Sequence, residues 1–160
     1  MQRSIVGFHQ DEDGDWVAEL SCLHNQHVRH RPPFQERSWV LEESGRVERI
    51  GAELDCALCD RAELPDGLRL VRRAGPFTAE TLPAALQSRH RVAERTWACL
   101  HVLEGSVRFS MDSDPPLEAL VEAGARQPIP PAIPHALTIL GPVVLEVEFF
   151  VATTATELRA

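Results

Sequence analysis

Cys22-Leu23-His24-Asn25-Gln26-His27-Val28-Arg29-His30, taken with Cys56-Ala57-Leu58-Cys59, decides how the first part of the chain folds. Two thiols three positions apart form a tight knuckle. A third thiol with imidazoles beside it completes the sulfur and nitrogen set that tetrahedral zinc prefers. The pattern points to a structural zinc site drawn from four of Cys22, His24, His27, Cys56 and Cys59. On a strand, Trp16, Ala18, Leu20, Cys22 and, if the strand continues, His24 share one face. His27 reaches the site only if the chain turns at Asn25-Gln26, so the fourth ligand stays open between the two histidines. The competing readings are three small buried cysteines and a thioredoxin-like redox pair. The Cys-x-x-Cys beside a His-flanked third Cys favours metal over the first. The lack of a surrounding strand-helix-strand pattern disfavours the second. His30 lies between Arg29 and Arg31, ahead of Pro32-Pro33, and reads as a surface residue or a support for a ligand.

Working outward, Ser4 to Phe8 and Trp16 to Cys22 are apolar, strand-like runs separated by Asp11-Glu12-Asp13-Gly14-Asp15, where Asp-Gly signals a hairpin. The alternating aspartates lack the later ligands and closing Glu of a calcium loop, so they read as a solvated turn. Phe34, Trp39, Val40 and Leu41 supply apolar cover, Gly45 marks a turn, and Arg46 to Leu54 is expected to form a short helix. A unit of about 60 residues buries only a modest core, and a metal can serve as its staple.

Gly7-Phe8-His9-Gln10-Asp11, Trp16 to Cys22, His24, Gln26 to His30, Pro32-Pro33, Trp39-Val40, Leu54-Asp55-Cys56 and Cys59-Asp60-Arg61 resemble a small bacterial, zinc-finger-like family of unknown function, over nearly all of residues 3 to 61. The resemblance brings no assigned activity with it.

The chain has 160 residues, 44% hydrophobic and 25% charged, as a globular protein does. No apolar run is long enough to span a bilayer and no signal-peptide pattern opens the chain, so a cytoplasmic protein with no membrane partner is expected. All 16 basic residues are arginines, and the net charge of -8 is uneven. Residues 1 to 60 carry 6 Arg against 12 Asp plus Glu, and residues 61 to 160 carry 10 against 12. An acidic module matches the phosphate backbone poorly, which argues against nucleic acid as a partner. Four cysteines without a secretion signal read as ligands or free thiols rather than disulfides.

The domain reading is a zinc-binding β-hairpin module over 1–61, a linker at 62–67, a β-barrel over 68–152 and a tail at 153–160. Ala62 to Gly67 is short, polar and broken by Pro65 and Gly67, as linkers are. Beyond it, Leu68 to Arg72, Trp97 to Leu103, Ser106 to Met111, Leu117 to Val121, Ala136 to Leu140 and Val143 to Val151 read as short strands, the pattern of an all-β barrel or jelly roll. The expected fold class is thus mainly β: a small zinc-ribbon-like module followed by a cupin-type barrel.

Leu103-Glu104-Gly105 with Ser106 to Phe109, and Gly124 with Pro128-Ile129-Pro130-Pro131-Ala132-Ile133-Pro134-His135, are similar to the two cupin motifs. More narrowly, residues 64 to 151 resemble the small N-terminal cupin domain of tellurite resistance protein B, through Pro83-Ala84, His90, Thr96-Trp97, Leu100, Gly105, Pro130-Pro131, His135 and Glu148-Phe149-Phe150. The metal-binding cupin pattern has a His-x-His pair and a Glu before its glycine, whereas Ala98 stands seven positions before Gly105. What remains is His90, His135 and a carboxylate from Glu94, Glu146 or Glu148, with Glu148 preferred, as a candidate site for a second divalent metal or a ligand. The alternative is a metal-free pocket in which the histidines form hydrogen bonds. Arg91, Arg95 and Trp97 are candidate ligand-binding residues. His101 reads as a packing or surface residue and Cys99 as a buried thiol.

Three functions follow. The first is a non-catalytic metal-binding protein linked to tellurite, oxyanion or metal stress, with structural zinc and a pocket for a small molecule or oxyanion. The second is a metal-dependent cupin enzyme of oxygenase or isomerase type using His90, His135 and a glutamate. The third is a regulatory protein-interaction module around Arg29, Arg31 and Arg37. The cupin resemblance also implies a homodimer through barrel edges.

Overall fold

Asp11 reverses the chain. Its Oδ1 accepts the amide N–H groups of Asp13 at 3.0 Å and Asp15 at 2.8 Å, and Gly14 takes φ +80°. Strands β1 (Gln2–Gln10) and β2 (Trp16–Leu20) therefore pair antiparallel, as the Asp-Gly signal predicts. The computed structural model describes residues 1–153; the part of the expected tail from Thr154 onward lies outside the described residues.

Strand β2 does not continue to His24. Leu23 adopts φ 73° and donates its N–H to the Leu20 carbonyl, and β3 (Asn25–His27) returns along β2 with His27 opposite Val17. The turn thus comes at Ser21 to Leu23 rather than at Asn25-Gln26. The helix expected over Arg46 to Leu54 is also displaced: α1 covers Glu43–Val47, and β4 (Glu53–Asp55) pairs with Gln2 to Ser4 of β1. Gly51, at φ +87°, separates the two. Gly45, read as a turn, lies inside α1, where a Cβ would collide with the Trp39 carbonyl. The resulting sheet has the order β3-β2-β1-β4.

After Cys56, helix α2 (Ala57–Asp60) makes a single turn. It ends with Ala62 at φ 50°, whose N–H reaches the Cys59 carbonyl while that of Glu63 reaches Leu58, a paired C-cap. By internal contacts the chain forms two compact units, Met1–Ala57 and Leu58–Ala160.

The second unit is built from β5 (Leu68–Thr78), β6 (Trp97–Glu104), β7 (Ser106–Met111), β8 (Leu117–Glu122), β9 (Arg126–Ile129), β10 (His135–Ile139) and β11 (Val144–Ala152), with the short helix α3 (Ala84–Gln87) before β6. These strands form two sheets, β10-β7-β8 and β5-β11-β6-β9, all pairs antiparallel. Strand β9 is absent from the strands read in the sequence, and it includes Pro128, which lacks a ladder donor. It is tolerated at the outer strand of its sheet. Gly105 makes the β6–β7 turn at φ +75°, and a Cβ there would strike the Pro142 carbonyl. Trp97, Leu100, Val102, Val107, Phe109 and Leu145 are fully buried and form the core. The described residues are mainly β, and no helix among them is long and apolar enough to cross a membrane.

Candidate functional site

Cys22, His24, Cys56 and Cys59 converge, each buried, with their ligand atoms all within 4.8 Å of one another. The tight turn at Leu23 puts Cys22 and His24 side by side, and the single turn of α2 returns Cys59 to the side of Cys56, since residues three apart share a helix face. The Cys22 and Cys56 sulfurs are 3.9 Å apart, and His24 Nδ1 lies 3.5 Å from the first and 3.4 Å from the second. Tetrahedral zinc with bonds of about 2.3 Å to sulfur and about 2.05 Å to nitrogen sets edges of about 3.8 and 3.6 Å. The cluster could therefore hold a metal ion such as zinc. Burial alone would lower the His24 pKa, but hydrogen bonds and charge from Cys22 and Cys56 outweigh it and push the ring up to about 9.

His27 takes no part. Its Nε2 lies 2.8 Å from Asp11 Oδ2 on the hairpin, and that contact holds the Asp11 carboxyl below its ordinary range. His30 Nδ1 accepts the Arg37 amide at 2.8 Å. Arg29 and Arg31 both reach Asp15, at 2.5 and 2.9 Å.

In the second unit a cavity of about 490 Å³ opens among β5, β6, β9, β10, β11 and the segment before β6. His90 and His135 line it together. Their backbones exchange two hydrogen bonds, and their rings lie 4.1 Å apart between centroids. Each Nδ1 faces a main-chain carbonyl, Ser88 for His90 at 3.1 Å and Ile133 for His135 at 2.9 Å. Donation to those carbonyls leaves each Nε2 as the nitrogen available to a ligand. Burial pushes the His135 pKa down to about 4; the Ile133 carbonyl opposes that and His90 adds to it.

Glu148 does not join the histidines. Val147 and Phe149 face the cavity, and the two-residue period of β11 turns Glu148 to the other side of the sheet. There it is buried and bridges Arg73, at 2.7 Å, and Arg126. Glu146 is 3.3 Å from His101 Nδ1, and Glu94 is exposed. Of the candidate ligand-binding residues, Arg91 lines the cavity, whereas Arg95 is exposed at φ 57° and Trp97 is fully buried away from it. Cys99 is buried, which raises its thiol pKa against the opposing influence of Arg126. Sequence reasoning missed Arg72, which lines the cavity with its guanidinium carbon 4.3 Å over the Phe149 ring. Its only signal is the Arg72 to Phe149 register, a cross-strand pairing that sequence spacing does not reveal.

Two family models match separate stretches of the chain. Residues 6–63 match the family described as Protein of unknown function (DUF3565). Among curated proteins none matches. A protein of E. coli strain K12 superposes with a TM-score of 0.54 at 24% identity, over 57% of this chain and 98% of that one, a likeness of fold. TehB from Haemophilus influenzae gives a TM-score of 0.49 at 20% identity, over 54% of this chain and 32% of its own. Hydroxypropylphosphonic acid epoxidase from S. wedmorenis gives 0.31 at 31% identity, over 38% and 32%. The last two superpose too loosely to carry an argument. Residues 72–151, half of the chain, match the TehB-like domain, and the chain belongs to that family.

Proposed function

We propose that this is a non-catalytic, two-part binding protein of the cytoplasm: a structural zinc site holds the first unit, and a cupin-type barrel binds a small anionic molecule. The observation that supports the reading is the convergence of three buried sulfurs and one imidazole nitrogen within 4.8 Å, with the three separations among Cys22, His24 and Cys56 close to the edge lengths of a zinc tetrahedron. Four protein ligands leave such a metal no open position, which is the arrangement of structural rather than catalytic zinc. A reducing compartment keeps these thiols available as ligands. The TehB-like domain supports a role in tellurite, oxyanion or metal stress. Elemental analysis is the test: one zinc per chain is expected in the wild type and none in Cys59→Ser, while His135→Ala keeps its zinc. A wild type purified without zinc, yet with native stability, overturns the reading.

A second reading, a metal-dependent enzyme, is favoured by one observation: the adjacent His90 and His135 rings, each with Nδ1 at a carbonyl, are oriented as metal-ligating imidazoles are. Against it, Glu148 is engaged by two arginines elsewhere. Reconstitution with iron or manganese separates the two readings. A second metal equivalent that disappears in His135→Ala supports the enzyme, and zinc alone supports the binding protein.

A further inference from the structure

The cavity of the second unit differs in chemistry between its walls and its edge. Leu100, Ile129, Val147 and Phe149 make apolar walls, and no carboxylate lines the cavity among the described residues. Two arginines are, Arg72 and Arg91, both exposed. Other arginines nearby in sequence are matched to acids: Arg73 pairs with Glu148 and Arg89 with Asp112. Among the described residues neither Arg72 nor Arg91 has an ion-pair partner. Arg72 is nonetheless held in place, because its guanidinium lies over the Phe149 ring of the cavity wall. An arginine stacked in this way keeps its N–H fork free for an acceptor. Val71, on the same strand and also lining the cavity, is 44% exposed, so apolar surface continues outward beside that charge.

These features select an occupant. An inorganic oxyanion would satisfy the arginines and leave the walls facing water, and a neutral hydrocarbon would cover the walls and leave the arginines unanswered. We propose that the cavity binds an organic monocarboxylate: its apolar body lies against Leu100, Ile129, Val147 and Phe149, and its carboxylate is taken by Arg72 and Arg91. The walls supply affinity through removal of apolar surface from water. The guanidinium groups supply selection, since Arg meets a carboxylate through charge-assisted and often bidentate hydrogen bonds. The inference rests on the cavity being a ligand site, as proposed above, and narrows the ligand to one class.

Calorimetric titration of the full zinc-loaded chain with octanoate, 1-octanol and tellurite tests it. Octanoate is expected to bind about tenfold more tightly than octanol at low salt, the increment of one charge-assisted contact. Raised salt should narrow that gap. In the Arg72→Gln, Arg91→Gln double variant, octanoate affinity should fall to that of octanol measured on the same variant, while zinc content stays unchanged. Equal affinity for octanoate and octanol in the wild type overturns the monocarboxylate and leaves the cavity as a ligand site. Tellurite displacing octanoate at equal concentration also overturns it, because the walls would then not be read. If neither octanoate nor octanol binds, both the monocarboxylate and the cavity's role as a site for an apolar-bodied ligand fail.

Discussion

From Met1 to Ala57 the largest fully buried side chains are Ile5, Leu20, Val28 and Val40; from Leu58 onward they include Trp97, Phe109, Leu100, Met111 and Leu145. The first region also leaves Phe34, Leu41, Val47 and Ile50 exposed, so much of its apolar content never enters a core. What it has instead is the buried set of Cys22, His24 and Cys56, which Cys59 completes. The second region buries large apolar side chains from both of its sheets. Small units bury too small a fraction of their surface for apolar contacts alone to offset chain entropy, and metal coordination makes up the deficit. The difference teaches where each region is expected to be vulnerable: one at a cluster that could hold a metal ion, the other to loss of volume.

The widest gap between the regions should open on chelation. Structural zinc contributes on the order of 10 kcal/mol in small zinc domains. Stripping it, or replacing Cys59 by Ser, should therefore abolish amide exchange protection in 1–57 and leave that of 97–151 in place. Retained protection in both regions would break the comparison at its root.

Phe109→Ala applies the opposite insult. Truncation of a fully buried aromatic costs about 3–5 kcal/mol, so the second region should melt well below the wild type with unchanged zinc content. A melting temperature within error of the wild type would mean that packing there is not what holds the sheets.

Acid should sharpen the contrast further. His135 titrates at about 4 when folded against 6.5 when open, because burial disfavours its charge. A base with a depressed folded pKa binds fewer protons folded than unfolded, so stability is full above 6.5 and falls as pH drops from 6.5 toward 4. The complete loss, below both values, is about 3 kcal/mol. Urea midpoints measured at steps between pH 7 and 4 should fall less steeply for His135→Gln than for the wild type; parallel curves would remove His135 from the account.

The smallest expected effect falls on His27, one of the two histidines first considered as the fourth ligand. His27→Ala loses only an exposed contact to Asp11, and exposed ion pairs contribute little. Zinc content and melting temperature should not change, whereas His24→Ala should lose the metal. Zinc loss in His27→Ala would require the turn at Leu23 to be different from the one described.

Much of this was legible in the chain. The Asp-Gly hairpin, the Cys-x-x-Cys knuckle, the third sulfur and six of the seven strands of the second region follow from local rules of turn chemistry and alternation. Local rules failed where one residue's backbone angle or partner mattered. A left-handed Leu23 moved the hairpin turn forward and chose His24 over His27. The extended proline edge was read without a partner, and its pairing with β6 as strand β9 is set by the order of the whole sheet.

The sequence by itself determined the ligand types and the mainly β character, since composition and short-range spacing are written directly in the chain, whereas His90 and His135 were pointed to by the cupin resemblance. Only the tertiary structure decided which of those groups meet. The pleat turned Glu148 away from His135, and pairing of β5 with β11 brought Arg72 onto Phe149 across 77 positions of sequence (149 minus 72). Such pairs are set by register between strands, and register depends on which faces the whole sheet can bury.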